Sequence, residues 1–270
     1  MKTMLRMFLL LLCACLLFGC APTELPSEDG DPEGEAPAKP LTSYMHFSFD
    51  DIEHCFRNLK TENYASLWDE PFFAALYDAH DRYGIKFSLY VWKDVLHGQP
   101  DTYAEEWQKA ADWLKIGLHS ADDGNFAEAT YEEGYDAWER FVIDVHAMTG
   151  TYKIIDRTPR LHNFAGSAEA LRGMQEAPFG ARGFLAADDT RLSYALDAEA
   201  CEAMRAGDYV KDANGLLYLA TDLRCERYRN ESLYSVLAEQ YAENLDAQTC
   251  YILFTHEYEV SCSLRSRKIL

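Results

Sequence analysis

Tyr44-Met45-His46-Phe47-Ser48-Phe49-Asp50-Asp51 is the stretch from which the fold is read. Apolar and aromatic residues through Phe49 predict a strand covered on both faces, as in a parallel sheet with helices outside it. Two adjacent carboxylates then stand at its C-terminal end. Such a pair is costly to desolvate unless a metal or another cation neutralises it. The C-terminal ends of parallel strands are also where barrel enzymes assemble their sites. A plainer role stays open, in which Asp50 or Asp51 caps a helix beginning near Ile52.

The pattern repeats outward from this stretch. Ser66 to Tyr83 has helical spacing and ends at Gly84; residues 85–91 follow as a strand. Tyr103 to Leu114 reads as an amphipathic helix, and 115–119 as a short strand ending in His119. Tyr131 to Met148 is the clearest helix, stopped by Gly150. Residues 160–164 are a candidate strand end, and Ser167 caps a helix running to about Gln175. Apolar runs at 183–186, 216–220 and 250–255 precede Asp188-Asp189, Thr221-Asp222 and His256-Glu257, with a helix expected over Glu231 to Leu245. About seven short strands alternating with helices predict an α/β architecture with a parallel sheet. A barrel is preferred because polar residues recur at nearly every strand end. No self-similar repeat is visible.

The chain start reads as an address. Lys2 and Arg6 precede an apolar run from Met7 to Phe18, too short to span a bilayer and laid out like a secretory signal. Leu17-Phe18-Gly19-Cys20 resembles the bacterial lipoprotein cleavage box, with Cys20 as the lipidated residue; Leu12-Cys13-Ala14-Cys15 is a rival with a shorter apolar core. The expected organisation is a signal peptide over 1–19, a lipidated Cys20 with an acidic tether to 42, and one domain over 43–270. That places the protein outside a bacterial membrane, anchored by lipid and monomeric. Five cysteines remain after processing, with no CxxC spacing; Cys250 with Cys262 is a candidate disulfide beside the alternative of free thiols. A net charge of -20 and pI near 4.7 argue against nucleic-acid partners.

The residues after each strand are Asp50 and Asp51, His119, Arg160 and His162, Asp188 and Asp189, Asp222, then His256. In a barrel they converge at one mouth. His119-Ser120-Ala121-Asp122-Asp123 offers an imidazole and carboxylates suited to zinc, with cobalt, nickel or manganese as alternatives. Asp123 lies four residues after His119, on one side of a helical turn; Asp122 competes, and the stretch could simply be a turn.

Ser48-Phe49-Asp50-Asp51 resembles the first motif of the polysaccharide deacetylase (NodB-homology) family. His119-Ser120-x-x-Asp123 resembles its second, Arg160 its third-motif arginine, and Thr255-His256 its final histidine. The resemblance spans residues 44 to 260. It implies a distorted (β/α)7 barrel and metal-dependent removal of N- or O-linked acetyl groups from cell-envelope or extracellular glycans. Carried across, Asp50 is the general base, Asp51 and His119 are metal ligands, Asp123 is the third ligand, and His256 is the general acid. Arg160 holds Asp50, with Asp188, Asp189 or Asp222 as its countercharge; His162, which has no counterpart in the family pattern, is a further candidate for binding substrate, together with Asp188 and Asp222. Three departures stand out. Ile52 replaces the family's glycine, Asp123 replaces its histidine, leaving His162 as an alternative ligand, and the chain ends soon after the last strand, leaving little room for a last helix. Two other readings remain: a glycan-binding lipoprotein without turnover, and a glycosidase whose carboxylate pair is Asp50 and Glu257.

Overall fold

The computed structural model describes residues 44–121, 124, 126–228, 235, 239 and 250–260. The expected signal and tether with Cys20, Asp122 and Asp123, most of the helix expected over 231–245, Cys262 and the chain end therefore lie outside the described residues.

Strands β1 (Tyr44–Ile52), β2 (Phe87–Trp92) and β3 (Leu114–Ser120) lie side by side and parallel. Backbone bonds extend this sheet. Ile116 donates to the Ile154 carbonyl and receives the Asp156 amide, so 154–159 adds a stave beside β3. Arg182 and Leu185 donate to Arg157 and Pro159, placing β4 (Gly183–Leu185) on its far side. β4 pairs parallel with β6 (Leu217–Leu219), whose other neighbour is the antiparallel β5 (Tyr209–Lys211). The same stretch continues into β7 (Leu223–Arg224), parallel to β8 (Cys250–His256), and β8 pairs with β1. The staves β1, β2, β3, 154–159, β4, β6 with β7, and β8 thus form a closed parallel ring, the architecture expected of a distorted (β/α)7 barrel.

Along β1 the side chains alternate, as the pleat requires. Phe47 and Phe49 turn outward to Phe72 and Phe87. His46, Ser48 and Asp50 turn inward, where they meet Ser88, Tyr90 and Arg160. The strand is covered on both faces, as its sequence predicts; its inward face is polar (His46, Ser48, Asp50), while its outward phenylalanines join the main core between staves and helices.

Helices among the described residues include α1 (His54–Thr61), α2 (Pro71–Tyr83), α3 (Lys93–Leu96), α4 (Ala104–Ala110), α5 (Tyr131–Thr149), α6 (Ala168–Glu176) and α7 (Ala198–Gly207). α2 starts at Pro71, later than Ser66, because Ser66 and Asp69 cap a separate turn over Leu67–Asp69. Thr130 and Glu133 form a capping box at the start of α5, and Gly150 ends it in the left-handed conformation. Residues 160–164 are not a strand. The stave lies just before them, and His162–Phe164 is a 3-10 turn with positive φ at Asn163 and Phe164. No helix among the described residues is long and apolar enough to cross a membrane.

Candidate active site

Consecutive strand residues point to opposite faces, yet Asp50 and Asp51 serve one mouth. The register of β1 against β2 slips between Phe49 and Ile52, and Asp51 adopts φ 52°. A left-handed conformation costs a non-glycine residue roughly 1–2 kcal/mol. Here that irregularity turns the second carboxylate to the same side as the first.

Asp50 is 2% exposed, and its Oδ1 accepts from Arg160 Nη1 at 2.9 Å. Arg160, itself buried, also donates to Ser48 Oγ at 2.9 Å and Thr221 Oγ1 at 3.2 Å, with its guanidinium 4.1 Å from the centre of the Phe254 ring. Buried charges are tolerable only with partners of this quality. The ion pair therefore sits on a fixed frame drawn from three staves.

Asp51 stands among three imidazoles. Its Oδ1 is 3.3 Å from His119 Nε2 and 3.7 Å from His162 Nδ1, and its Oδ2 is 3.7 Å from His256 Nε2. His119 Nε2 and His162 Nδ1 are 3.3 Å apart. One donor atom from each of Asp51, His119 and His162 falls within 4.8 Å of the others. The Arg160 carbonyl takes His119 Nδ1–H at 2.6 Å, so a neutral His119 turns its Nε2 lone pair toward an anionic oxygen. That oxygen, Asp51 Oδ1, is buried and has no hydrogen bond. A cation among the three atoms resolves this conflict, and a carbonyl behind a ligating histidine is the usual support in metal sites. Two imidazoles and one carboxylate suit zinc or a similar divalent ion. The residues fit such an ion.

The charge balance says the same. Burial works to raise the Asp51 carboxyl, but contacts with His119 and His162 and the charges of His119 and His256 hold it well below the carboxylate range. Burial also opposes a charged His119, yet Asp51 and then Asp50 raise it above the ordinary imidazole value. The cluster favours positive charge at its centre.

His256 lies opposite Asp50 in the β1–β8 register. Its Nδ1 is bonded to the Glu226 carboxylate, leaving Nε2 toward Asp51. Burial works to raise Glu226, but His256 outweighs it and holds the carboxyl below its ordinary value; Arg224 Nε lies 3.4 Å away. The ring plane is fixed further by Tyr258, stacked at 5.1 Å.

The structure therefore brings Asp50, Asp51, His119, Arg160, His162 and His256 together. His162 contacts the metal-binding candidates directly, whereas Asp123 lies outside the described residues. Asp188 and Asp222 are engaged elsewhere. Asp188 Oδ2 is 3.1 Å from Arg227 Nη1, and Asp222 Oδ2 accepts the Ile252 amide at 2.6 Å. Glu257 accepts the amides of Glu53, His54 and Cys55 at 2.7, 2.8 and 2.7 Å, using both oxygens to cap α1. That occupation removes the observation on which the Asp50–Glu257 glycosidase pair rested. Sequence reading missed Glu226, Ser48, Thr221, Trp92 and Tyr258. Ser48 carried a signal, two residues before Asp50 on the same strand face; Glu226 carried none.

A cleft of about 310 Å³ opens from Asp51, with Trp92 and Tyr258 among its walls.

A scan of protein-family models finds no match, and a search of curated proteins finds none either. Solved structures similar to the chain include a Mycobacterium smegmatis protein assigned as a polysaccharide deacetylase, with 11% identity, TM-score 0.49, and coverage of 85% of this chain and 82% of that one. A cobalt complex of a family 4 acetyl xylan esterase from Clostridium thermocellum has 16% identity, TM-score 0.38 and coverage of 84% and 93%. A CE4 family pseudoenzyme from Bacillus anthracis has 9% identity, TM-score 0.40 and coverage of 85% and 61%.

Proposed function

We propose that the chain is a metal-dependent hydrolase that removes N- or O-linked acetyl groups from cell-envelope or extracellular glycans. The observation that carries this reading is the Asp51–His119–His162 cluster, set between the buried Asp50–Arg160 pair and the His256–Glu226 pair. Asp51, His119 and His162 would hold the ion, with zinc the first candidate. When bound there, a divalent ion would supply polarisation of an acetyl carbonyl and a water acidic enough to lose a proton near neutral pH.

The remaining work falls to the chain's own groups. Asp50, its charge balanced by Arg160, accepts a proton from the attacking water. The water oxygen bonds to the acetyl carbon, and the carbon–nitrogen or carbon–oxygen bond breaks. His256, oriented through Nδ1 by Glu226, delivers a proton from Nε2 to the leaving nitrogen or oxygen. Acetate and a free amine or hydroxyl result, and solvent exchange restores both protonation states.

The same reading places the barrel on the outer face of a bacterial membrane, held by lipid on Cys20, as a monomer whose partner is glycan rather than nucleic acid. The test is acetate release from acetylated glycans by metal-loaded protein. Wild type should release acetate, and Asp51→Ala should lower the rate by at least a thousandfold. Equal release by the variant overturns the reading. Glycan binding that persists without metal and without acetate release would instead make this a binding protein that has lost turnover.

A further inference from the structure

The end of the ring opposite the mouth, where its parallel staves begin, carries a surface of its own. We propose that this base of the barrel is a seat for anionic phospholipid, so that the anchored protein stands with its mouth turned away from the membrane. The inference rests on the lipid-anchor reading above.

Cations gather where the staves begin. Lys86 immediately precedes β2, Lys115 is the second residue of β3, Lys153 precedes the 154–159 stave, and Arg182 precedes β4. Backbone bonds from Phe87 to Trp113, Ile116 to Ile154 and Arg182 to Arg157 make these starts neighbours in one arc. Burial lowers the Lys115 ammonium; Asp156 and Asp112 oppose that shift, while Lys153 and Lys86 add to it. Burial likewise lowers Arg157, and Arg182 adds to it. Like charges thus crowd together in a chain whose net charge is -20. Asp112 pairs with Lys153 at 2.6 Å, and the Asp156 carboxylate turns inward to Ser88 and Tyr90. Lys86 and Arg182 are exposed and have no ion pair among the described residues.

Exposed rings accompany these charges. Tyr152, one residue before Lys153, stacks on Phe179 at 4.2 Å and on His146 at 4.1 Å. Tyr152 is 41% exposed and Phe179 47%. Phe179 has φ 52°, an unusual conformation for a bulky residue, and its carbonyl accepts Trp138 Nε1–H at 3.2 Å. The next carbonyl, of Gly180, accepts from Arg157 Nε at 2.8 Å, which ties the rings to the basic arc. Rings flanked by cations match a bilayer surface: phosphates take Lys and Arg, and aromatic side chains fill the boundary beneath the headgroups. In a molecule acidic overall, an anionic surface draws this end in and repels the rest.

The path of the chain agrees. β1 starts at Tyr44 at this same end, so the segment leading from Cys20 arrives beside the arc. That segment's own Glu24, Glu28, Asp29, Asp31, Glu33 and Glu35 are the competing occupant. A bilayer is favoured because it satisfies cations and rings together, whereas carboxylates leave the rings in water.

The test uses full-length lipidated protein reconstituted into phosphatidylcholine vesicles with and without about 30% phosphatidylglycerol. Flotation with both vesicles reports the anchor. Amide exchange over 150–153 and 178–183 reports the seat; it should slow about threefold or more with phosphatidylglycerol and return to the phosphatidylcholine rate in high salt. The double variant Lys86→Gln, Arg182→Gln should float and unfold as wild type does but lose the difference, and Lys86→Arg, Arg182→Lys should keep it. Equal exchange in the two vesicles, or a difference that survives in the glutamine variant, overturns the inference. Protection already present in detergent and indifferent to lipid would assign the arc to the acidic segment, which overturns it too. Protein that floats with neither vesicle overturns the anchor reading itself, which separates the two failures.

Discussion

His162 is the residue on which the site turns. Its Nδ1 reaches Asp51 and His119 from a 3-10 turn in which the next two residues carry positive φ, a strained arrangement that holds the ring inward. His162→Ala is expected to weaken zinc affinity at least a hundredfold, while Asp123→Ala leaves it within about tenfold; titration with a competing chelator measures both. The reverse order would return the third ligand to Asp123. Glu226 acts one step back, through His256. Glu226→Gln should retain metal, lower kcat at least tenfold and move the acidic partner in the pH–rate profile, a signature that a purely structural role would not give. A profile of unchanged shape would remove Glu226 from the proton path. The Asp pair and His119 were legible because each follows an apolar run, and Arg160 through the family motif it resembles. Glu226 was not, because its meaning arises only when β7 closes against β8.

Among the elements, α1 and the α5–α6 pair make separable predictions. Glu257 supplies both oxygens to three amides at the start of α1, where a negative charge also meets the helix dipole. Glu257→Gln should cost about 1–2 kcal/mol in urea unfolding and leave metal content unchanged; loss of metal would place Glu257 in the site itself. Between α5 and α6, an added Cβ at Gly173 would lie 2.2 Å from the Tyr131 carbonyl oxygen, and at Gly134 2.2 Å from that of Ala170. Gly173→Ala should therefore destabilise by about 1–3 kcal/mol or more, read in the same unfolding experiment. Helix α5 was legible from its period and its Thr130 and Gly150 boundaries. The stave at 154–159 was not. It is short, it contains Pro159, and its pairing through Ile116 and Leu185 is made by distant residues rather than by local pattern.

For the whole molecule, closing the ring places a line of polar groups through its interior. His46 lies at the end away from the mouth, near Ser88 and Tyr90, with its Nδ1 buried and unpartnered. Burial lowers it to about 4 from the ordinary 6.5, with Asp156 opposing and Arg160 assisting the shift. Between those values the unfolded chain binds the extra proton and the folded one does not. Its contribution is complete above pH 6.5 and is lost as pH falls toward 4. Unfolding midpoints across that window should fall with acidification, and His46→Gln should flatten the decline. An equal slope in the variant would assign the acid sensitivity to other groups. The barrel class was legible from strand–helix alternation, whereas the polar inward face of β1 was hidden because Phe47 and Phe49 dominate a strand whose alternate residues face inward.

The most direct measurement is metal content of the full-length protein in detergent, by elemental analysis after zinc loading and dialysis. Near-stoichiometric zinc in wild type, absent from Asp51→Ala and His119→Ala variants that unfold at the wild-type midpoint, is the predicted result. Wild type that retains no divalent metal, or folded variants that retain as much as wild type, would contradict a metal centre at Asp51, His119 and His162.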